Sequence, residues 1–342
     1  MENARTPLRI GILGAARIAP SAIIFPAQAT GHQLVAVGAR DKSRAEVFAK
    51  QYQIEKAYGS YQEVLDDPNV DVIYNALHNG AHAPWNIKAL EAGKHVLSEK
   101  PSASNAAEAK EVAAAVSKSG KVFMEGFHYY YHPVFQRALS IIKSGEIGEV
   151  IKVESSLLIP RPDESDLRLK FELAGGSMMD VGCYALHSQR MISQLIADGE
   201  PTIVNADSNS ADGKIDTKLY FQLKYPNGVA ALAKGDFESE VMQAPLTITG
   251  SKGSVYLPNF VVSGWDPRVI VEASGQKRVE HLPSISTYTY QLLAFADAVD
   301  LGKSIKTDAK DALSQATLID AAYVAAGLPL RPVLKFKQAS FS

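Results

Sequence analysis

Across residues 8–126 short apolar runs alternate with longer stretches of helical spacing, and this rhythm restricts the fold more than any other feature. Candidate strands are Leu8–Leu13, Leu34–Ala39, Val70–Leu77, His95–Ser98 and Lys121–Gly126. Candidate helices between them are Ile18–Thr30, Ser43–Tyr52, Trp85–Ala92 and Ala106–Ser119. Such alternation needs right-handed crossovers and a parallel sheet covered on both faces. Ser43 with Glu46 and Asn105 with Glu108 stand at capping-box spacing, marking two helix starts.

Beyond residue 126 the pattern changes. Helices are expected over Pro133–Ser144, Ser177–Ile196, Tyr288–Asp300 and Asp308–Ala326. Strands are expected at Val150–Leu158, Thr217–Lys224, Val229–Gly235, Leu246–Thr249, Ser254–Leu257 and Val269–Ala273. Tyr225–Gly228 (YPNG) reads as a hairpin turn. Strands that follow strands pair antiparallel, so this half is α+β on an open, largely antiparallel sheet. At 342 residues the chain exceeds what one core usually holds. The expectation is an α/β protein of two domains, 1–126 and 127–342.

Composition narrows the partners. Lys plus Arg (35) against Asp plus Glu (37) leaves no basic excess to neutralise a nucleic-acid backbone. No apolar run approaches the ~18 residues of a membrane span. A lone cysteine, Cys183, makes no internal disulfide, and the opening MENARTPLRIGILGA lacks a secretory pattern; a cytoplasmic protein is expected.

The first strand-to-helix turn reads Gly14-Ala-Ala16-Arg17-Ile18-Ala19, a G-x-G-x-x-G/A dinucleotide fingerprint with Ala16 in the second slot. Its first position needs backbone freedom. The second must let main chain approach a pyrophosphate, and the third must be small for packing. Gly14, Ala16, Arg17 and Ile18 are therefore candidate cofactor contacts in a Rossmann-type domain. At the end of the second strand an NAD enzyme places an acid, but this chain has Ala39-Arg40-Asp41. Arg40 suits a 2′-phosphate, which favours NADP, with NAD the second choice should Asp41 take the ribose. The loop after the third strand adds Leu77, His78, Asn79 and His82. Those two histidines, taken as loop residues, have no carboxylate at metal-site spacing, so no metal is expected.

Glu99-Lys100-Pro101 follows the strand HVLS directly, which brings a lysine to the edge where such sheets bind ligands. A neighbouring nicotinamide cation would favour a neutral lysine that transfers protons. Glu99 and Lys100 join the cofactor set. Farther on, Gly175-Gly176-Ser-Met-Met-Asp180-Val-Gly182-Cys183-Tyr184-Ala-Leu-His187 spaces Asp180, Tyr184 and His187 at i, i+4 and i+7. On a helix they share one face. His187 either touches substrate or is a satisfied histidine one turn behind. Tyr129, in the aromatic stretch Phe127–Pro133, and Arg168 are weaker substrate contacts; those rings suit a pocket wall or a core equally.

Together these residues resemble the glucose–fructose oxidoreductase/inositol dehydrogenase/MocA family, from GILGAARIA through EKP to GGSMMDVGCYALH. The resemblance implies an NAD(P)-binding domain over 1–126 and a substrate and oligomerisation domain over 127–342. It also implies metal-free hydride transfer between cofactor and a sugar, polyol or related carbon. Lys100 matches the family's catalytic lysine and Asp180 its substrate-side aspartate. Tyr184 stands where dihydrodiol and NADP-dependent xylose dehydrogenases have tyrosine, the branch that GCYALH and EGFHYYYHP most resemble. Two residues depart from that branch: His78 replaces a proline, and Tyr130 an arginine. The expected mechanism pairs Lys100 with Tyr184 for proton transfer, either group being the final acceptor. The expected partners are a carbohydrate or diol and a second copy, as a homodimer or dimer of dimers. A silent NADP-binding regulator and a glycosidase recycling bound NAD are the competing readings.

Overall fold

In the computed structural model, which describes residues 6–334, the early rhythm becomes a six-stranded sheet. Its strands are β1 (Arg9–Leu13), β2 (Gln33–Gly38), β3 (Lys56–Tyr58), β4 (Val72–Asn75), β5 (His95–Ser98) and β6 (Phe123–Glu125). They lie in the order β3-β2-β1-β4-β5-β6, and every pair is parallel. This is the dinucleotide-fold order, reversing between β1 and β4. All four residues of β4 are buried, as expected where helices cover both faces. Register pairs Leu13 with Gly38 and Asn75, Asn75 with Ser98, and Ser98 with Glu125. The loops after β1, β2, β4 and β5 therefore leave from one edge.

The helices of this part differ from expectation in instructive places. A π-helical turn, Pro20–Ile24, precedes α1 (Phe25–Thr30), because Pro20 and Pro26 each withhold an N–H from a regular ladder. Asp41, not Ser43, caps α2 (Lys42–Tyr52), accepting from the Ser43 amide at 2.9 Å and its hydroxyl at 2.7 Å. After α3 (Tyr61–Asp66) comes α4 (Asn79–Glu91), which starts six residues before the expected Trp85 and holds Pro84 inside it. His82 is consequently helical, not part of a loop. For α5 (Ala106–Ser119) the expected cap is present: Asn105 Oδ1 accepts from the Glu108 amide at 3.0 Å.

The later chain builds an eight-stranded sheet from β7 (Val150–Leu158), β8 (Thr202–Asn209), β9 (Lys218–Lys224), β10 (Ala230–Asp236), β11 (Leu246–Gly250), β12 (Gly253–Leu257), β13 (Arg268–Ala273) and β14 (Gln276–His281). Their order is β14-β13-β12-β11-β7-β10-β9-β8, antiparallel except for the β7–β10 pair. Strict alternation in β9, with Leu219, Phe221 and Leu223 buried and Tyr220, Gln222 and Lys224 exposed, leaves one face open. The other carries α7 (Cys183–Ala197), packed on β7 and β10, while α6 (Pro133–Ser144) lies against β12 and β13. Gly228, at φ +92°, closes the YPNG hairpin.

The chain forms two compact units. The first takes the described residues up to Phe127 with Tyr288–Leu313 and 333–334; the second takes His128–Thr287 and Ser314–Pro332. A single boundary near residue 127 misses the return of Tyr288–Leu313, most of α8 (Thr287–Leu301) and the start of α9 (Ala309–Ala325), to the first unit. Residues 1–5 and 335–342, the outer ends of the two expected domains, lie outside the described residues. Among the described residues no helix is long and apolar enough to cross a membrane.

Candidate active site

In the first unit, the turn after β1 holds Gly14 at φ +97°, a conformation costly for any side chain. A Cβ there would stand 3.1 Å from Leu77 Cδ2, and the Gly14 amide donates to the Gly38 carbonyl at 2.9 Å. The turn is thus pinned to β2 and closes against the loop after β4. Arg17 and Ile18 stay exposed. At the end of β2 Arg40 is exposed, while Asp41 is occupied as a helix cap. Burial lowers the pKa of His78, and the charge of Arg40 lowers it further; burial raises that of Tyr61 against the pull of Arg40 and Arg44. Arg40 therefore shares this edge with His78 and Tyr61. A small turn, an exposed guanidinium and half-buried Leu77, His78 and Asn79 along one sheet edge fit a dinucleotide phosphate.

Behind that edge lies a buried polar network that sequence patterns do not reveal. Asn75 Nδ2 donates to Asn86 Oδ1 at 2.9 Å, and Asn86 Nδ2 donates to Ser98 Oγ at 2.9 Å and to the Ser102 carbonyl at 3.2 Å. The Ser102 amide donates to Glu125 Oε1 at 2.6 Å. These contacts fix the exits of β4 and β5. His82 belongs to this support and not to the exposed edge. It is 1% exposed, with Nδ1 2.7 Å from the Pro101 carbonyl and Nε2 2.8 Å from the Leu77 carbonyl. Burial holds its pKa down at about 4, so the ring is neutral and donates to one of the two. Glu99 is likewise buried, its Oε1 accepting from Tyr74 Oη at 2.6 Å. Both were expected to touch cofactor; their side chains are spent inside the unit. Lys100 follows at the edge, half-buried, before a cis peptide bond to Pro101.

In the second unit, the glycine pair lets the chain turn tightly. Gly176, at φ +123°, leaves no space for a Cβ beside Asp216 and Arg331. Asp216 is fully buried and accepts from the Ser177 hydroxyl at 2.8 Å, the Met178 amide at 2.6 Å and Tyr323 Oη at 3.1 Å. Arg331 pairs with it and donates to the Gly175 carbonyl at 2.6 Å. The segment before Asp180 is thereby clamped at both ends. The expected continuous helix is a π-helical turn, Met178–Gly182, leading into α7. Gly182 and Gly235 of β10 make the close fit possible, since a Cβ on Gly235 would be 2.6 Å from Gly182 Cα. Irregular turns of this kind recur at functional positions.

Asp180 and Tyr184 emerge from this junction. Asp180 is half-buried, with Oδ2 3.3 Å from Nη1 of Arg168, which also makes a bidentate pair with Asp166. Those hydrogen bonds and the two carboxylates raise the guanidinium's pKa, so its charge is permanent. Arg168, expected to touch substrate, is engaged by Asp166 and Asp180. Tyr184 is 4% exposed, and its hydroxyl lies 2.9 Å from Nε2 of His128, itself 1% exposed. His187 and Tyr129 are both fully enclosed and bonded to each other, Oη to Nδ1 at 2.7 Å. Both were expected to touch substrate; here they are enclosed beside Tyr184, with the Tyr129 and Tyr184 ring centroids 6.2 Å apart. Sequence reasoning missed His128, Asp216 and Arg331. Only His128 carried a signal, standing in a stretch noted for its aromatic rings. Among the described residues no group of three or more His, Cys, Asp or Glu side chains is placed to hold a metal.

Comparison with known proteins identifies the family. Residues 8–127 match the model of an oxidoreductase family with an NAD-binding Rossmann fold, and residues 135–256 match the GFO/IDH/MocA C-terminal domain. The chain is 34% identical over 325 residues to D-xylose 1-dehydrogenase (NADP(+)) 2 of Haloferax volcanii, covering 93% of this chain and 97% of that protein. It is 31% identical over 278 residues to trans-1,2-dihydrobenzene-1,2-diol dehydrogenase of Mus musculus, covering 79% of each. A 3-ketoreductase from Actinomadura kijaniata, solved with NADP and TDP-benzene, superposes with a TM-score of 0.83 at 27% identity, over 94% of this chain and 98% of that one. With identity spread over nearly its whole length and both halves matching, the chain belongs to the Gfo/Idh/MocA family of NAD-binding oxidoreductases.

Proposed function

We propose that this oxidoreductase prefers NADP and moves a hydride between the nicotinamide and a hydroxyl or carbonyl carbon of a sugar, polyol or dihydrodiol. The observation that carries the cofactor choice is Arg40, exposed at the end of β2 while the neighbouring acid, Asp41, is spent on capping α2. The NADP-dependent xylose dehydrogenase at 34% identity supports the same choice and the substrate class. The first unit serves as the cofactor domain and the second as the substrate and assembly domain.

Nicotinamide, when bound, supplies the hydride acceptor or donor. The remaining work falls to side chains and needs no metal. Tyr184 takes the proton from the substrate hydroxyl oxygen during oxidation and returns it during reduction. Lys100, as a cation, favours the ionised phenol. Asp180, steadied by Arg168, accepts a hydrogen bond from a substrate hydroxyl and fixes which carbon is presented. Gly14, Ala16, Arg17, Ile18, Leu77, His78 and Asn79 hold the dinucleotide, with Glu99 and His82 acting from behind them. Assembly as a homodimer uses the open face of the second sheet, where Tyr220, Leu232 and Tyr256 are each more than a third exposed. The compartment is the cytoplasm, where the single, buried thiol of Cys183 stays reduced.

The test is a panel of D-xylose, other aldoses, polyols and trans-dihydrodiols, incubated with NADP or with NAD while nicotinamide reduction is followed. Turnover of at least one panel class with NADP favoured is expected. Tight binding of NADP without turnover of any class would instead support a silent regulator. NAD retained through purification would support internal recycling.

A further inference from the structure

Tyr184 does not face its task alone. Its hydroxyl is 2.9 Å from Nε2 of His128, the two rings meet edge to face with centroids 5.5 Å apart, and both residues are almost entirely enclosed. His128 opens the short 3₁₀ turn His128–Tyr131, directly after the sheet strand β6 and Phe127. That turn is held at its other end by His132, whose Nδ1 accepts from the Val134 amide at 3.2 Å to start α6. The imidazole is therefore carried by a fixed piece of backbone. Elsewhere in the same unit Tyr129 and His187 are engaged with each other, and Asp180 is engaged by Arg168.

We propose that His128 is the relay partner of Tyr184: it accepts the phenolic proton at Nε2 while Tyr184 Oη accepts the substrate's hydroxyl proton. This rests on the assignment of Tyr184 as the group that meets that proton. In the oxidation direction the substrate C–H bond breaks as hydride leaves for the nicotinamide, and its O–H bond breaks as C=O forms. The hydroxyl proton passes to Tyr184 Oη, and the proton already on Oη passes to His128 Nε2. One neutral imidazole becomes an imidazolium, and the tyrosine ends as it began. Reduction runs the same transfers backward. The phenol thus hands on its own proton to the imidazole as it takes the substrate's, with Lys100 stabilising the phenolate character that develops between the two transfers.

The relay requires the resting ring to carry its proton on Nδ1, leaving the Nε2 lone pair for the phenol. Nitrogen-15 spectra of the histidine side chains in the full chain with NADP, assigned by difference with His128→Gln, decide this. A Nδ1–H tautomer whose Nε2 resonance moves on Tyr184→Phe substitution is expected. A Nε2–H tautomer, in which the ring only donates to the tyrosine, would overturn the relay, and should His128→Gln fail to fold, His128→Asn supplies the same assignment. Kinetics give the second reading. Glutamine keeps a hydrogen-bond acceptor but takes no proton, so His128→Gln should lower kcat on the best panel substrate by roughly 10²-fold or more. The loss should lessen at high pH, where the phenol ionises unaided, and His128→Gln/Tyr184→Phe should be no slower than Tyr184→Phe. A His128→Gln enzyme with native kcat and pH profile, beside a crippled Tyr184→Phe, would overturn the relay alone. If Tyr184→Phe itself keeps kcat, the tyrosine assignment and the relay fall together.

Discussion

Arg40 and Asp41 show how two adjacent residues divide their roles. Asp41 accepts from both the amide and the hydroxyl of Ser43, an Asx cap of the kind that starts helices, and hydrogen bonding holds its pKa below the usual carboxylate range. Arg40, exposed beside Tyr61, is the group proposed to meet a 2′-phosphate. Replacing Arg40 with alanine should raise KM for NADP about ten- to a hundredfold and leave KM for NAD nearly unchanged. Steady-state kinetics with both cofactors check this, and equal effects would contradict it. At this scale the placement of contiguous motifs was legible: Lys100 in EKP leaves the end of β5, and Tyr184 stands on a helix, while Asp180 lies on the π-helical turn before it. Burial was less legible. Glu99, His82, His187 and Tyr129 have the right chemical types, but their partners Tyr74, Leu77, Pro101 and each other become neighbours only after folding.

Elements, more than residues, hold the candidate site in shape. The π-helical turn Met178–Gly182 is pressed on β10 through Gly182 and Gly235. Gly235→Ala should force this contact apart, costing about 1–3 kcal/mol of stability, and should lower kcat by displacing Asp180 and Tyr184. Thermal unfolding and kinetics together test it; a variant with native values in both would contradict the account. A second element-level expectation concerns β3, which was not foreseen because Lys-Ala-Tyr carries no apolar pattern. It is tied down by Asp67, whose Oδ2 accepts from Lys56 Nζ at 2.8 Å and Tyr58 Oη at 3.0 Å. Burial pushes this carboxyl upward, but the bonds from Lys56, the Asn69 amide and Tyr58 outweigh it and hold the pKa at about 2. The unfolded value is about 3.9, so the stabilisation is complete above that and fades as pH falls toward 2. Asp67→Asn should flatten this part of an acid-unfolding curve; an unchanged slope would count against it. The other unforeseen strands, β8 and β14, are mostly polar edge strands, and the early start of α4 was hidden by Pro84, which reads as a helix beginning.

For the molecule as a whole, a parallel sheet followed by an open, largely antiparallel one was legible from rhythm, since period and strand succession decide both, but the strand order and the strands β3, β8 and β14 were not. The return of Tyr288–Leu313 to the first unit was not, and neither was the Asp216–Arg331 clamp, whose partners lie 115 residues apart. The open sheet face is expected to join two copies, and sedimentation should show a dimer at micromolar concentration; a monomer alone would contradict that. The central proposal at this scale assigns Lys100 and Tyr184 to one proton transfer. Its most direct test is kcat for Lys100→Met, Tyr184→Phe and the double variant, measured with NADP and the best panel substrate. Each single change should lower kcat by about 10²–10⁴-fold while NADP binding stays nearly intact. The double variant should lose far less than the product of the two losses. A Tyr184→Phe enzyme that keeps its kcat and only raises substrate KM would contradict the pairing and leave Lys100 as the sole acid and base.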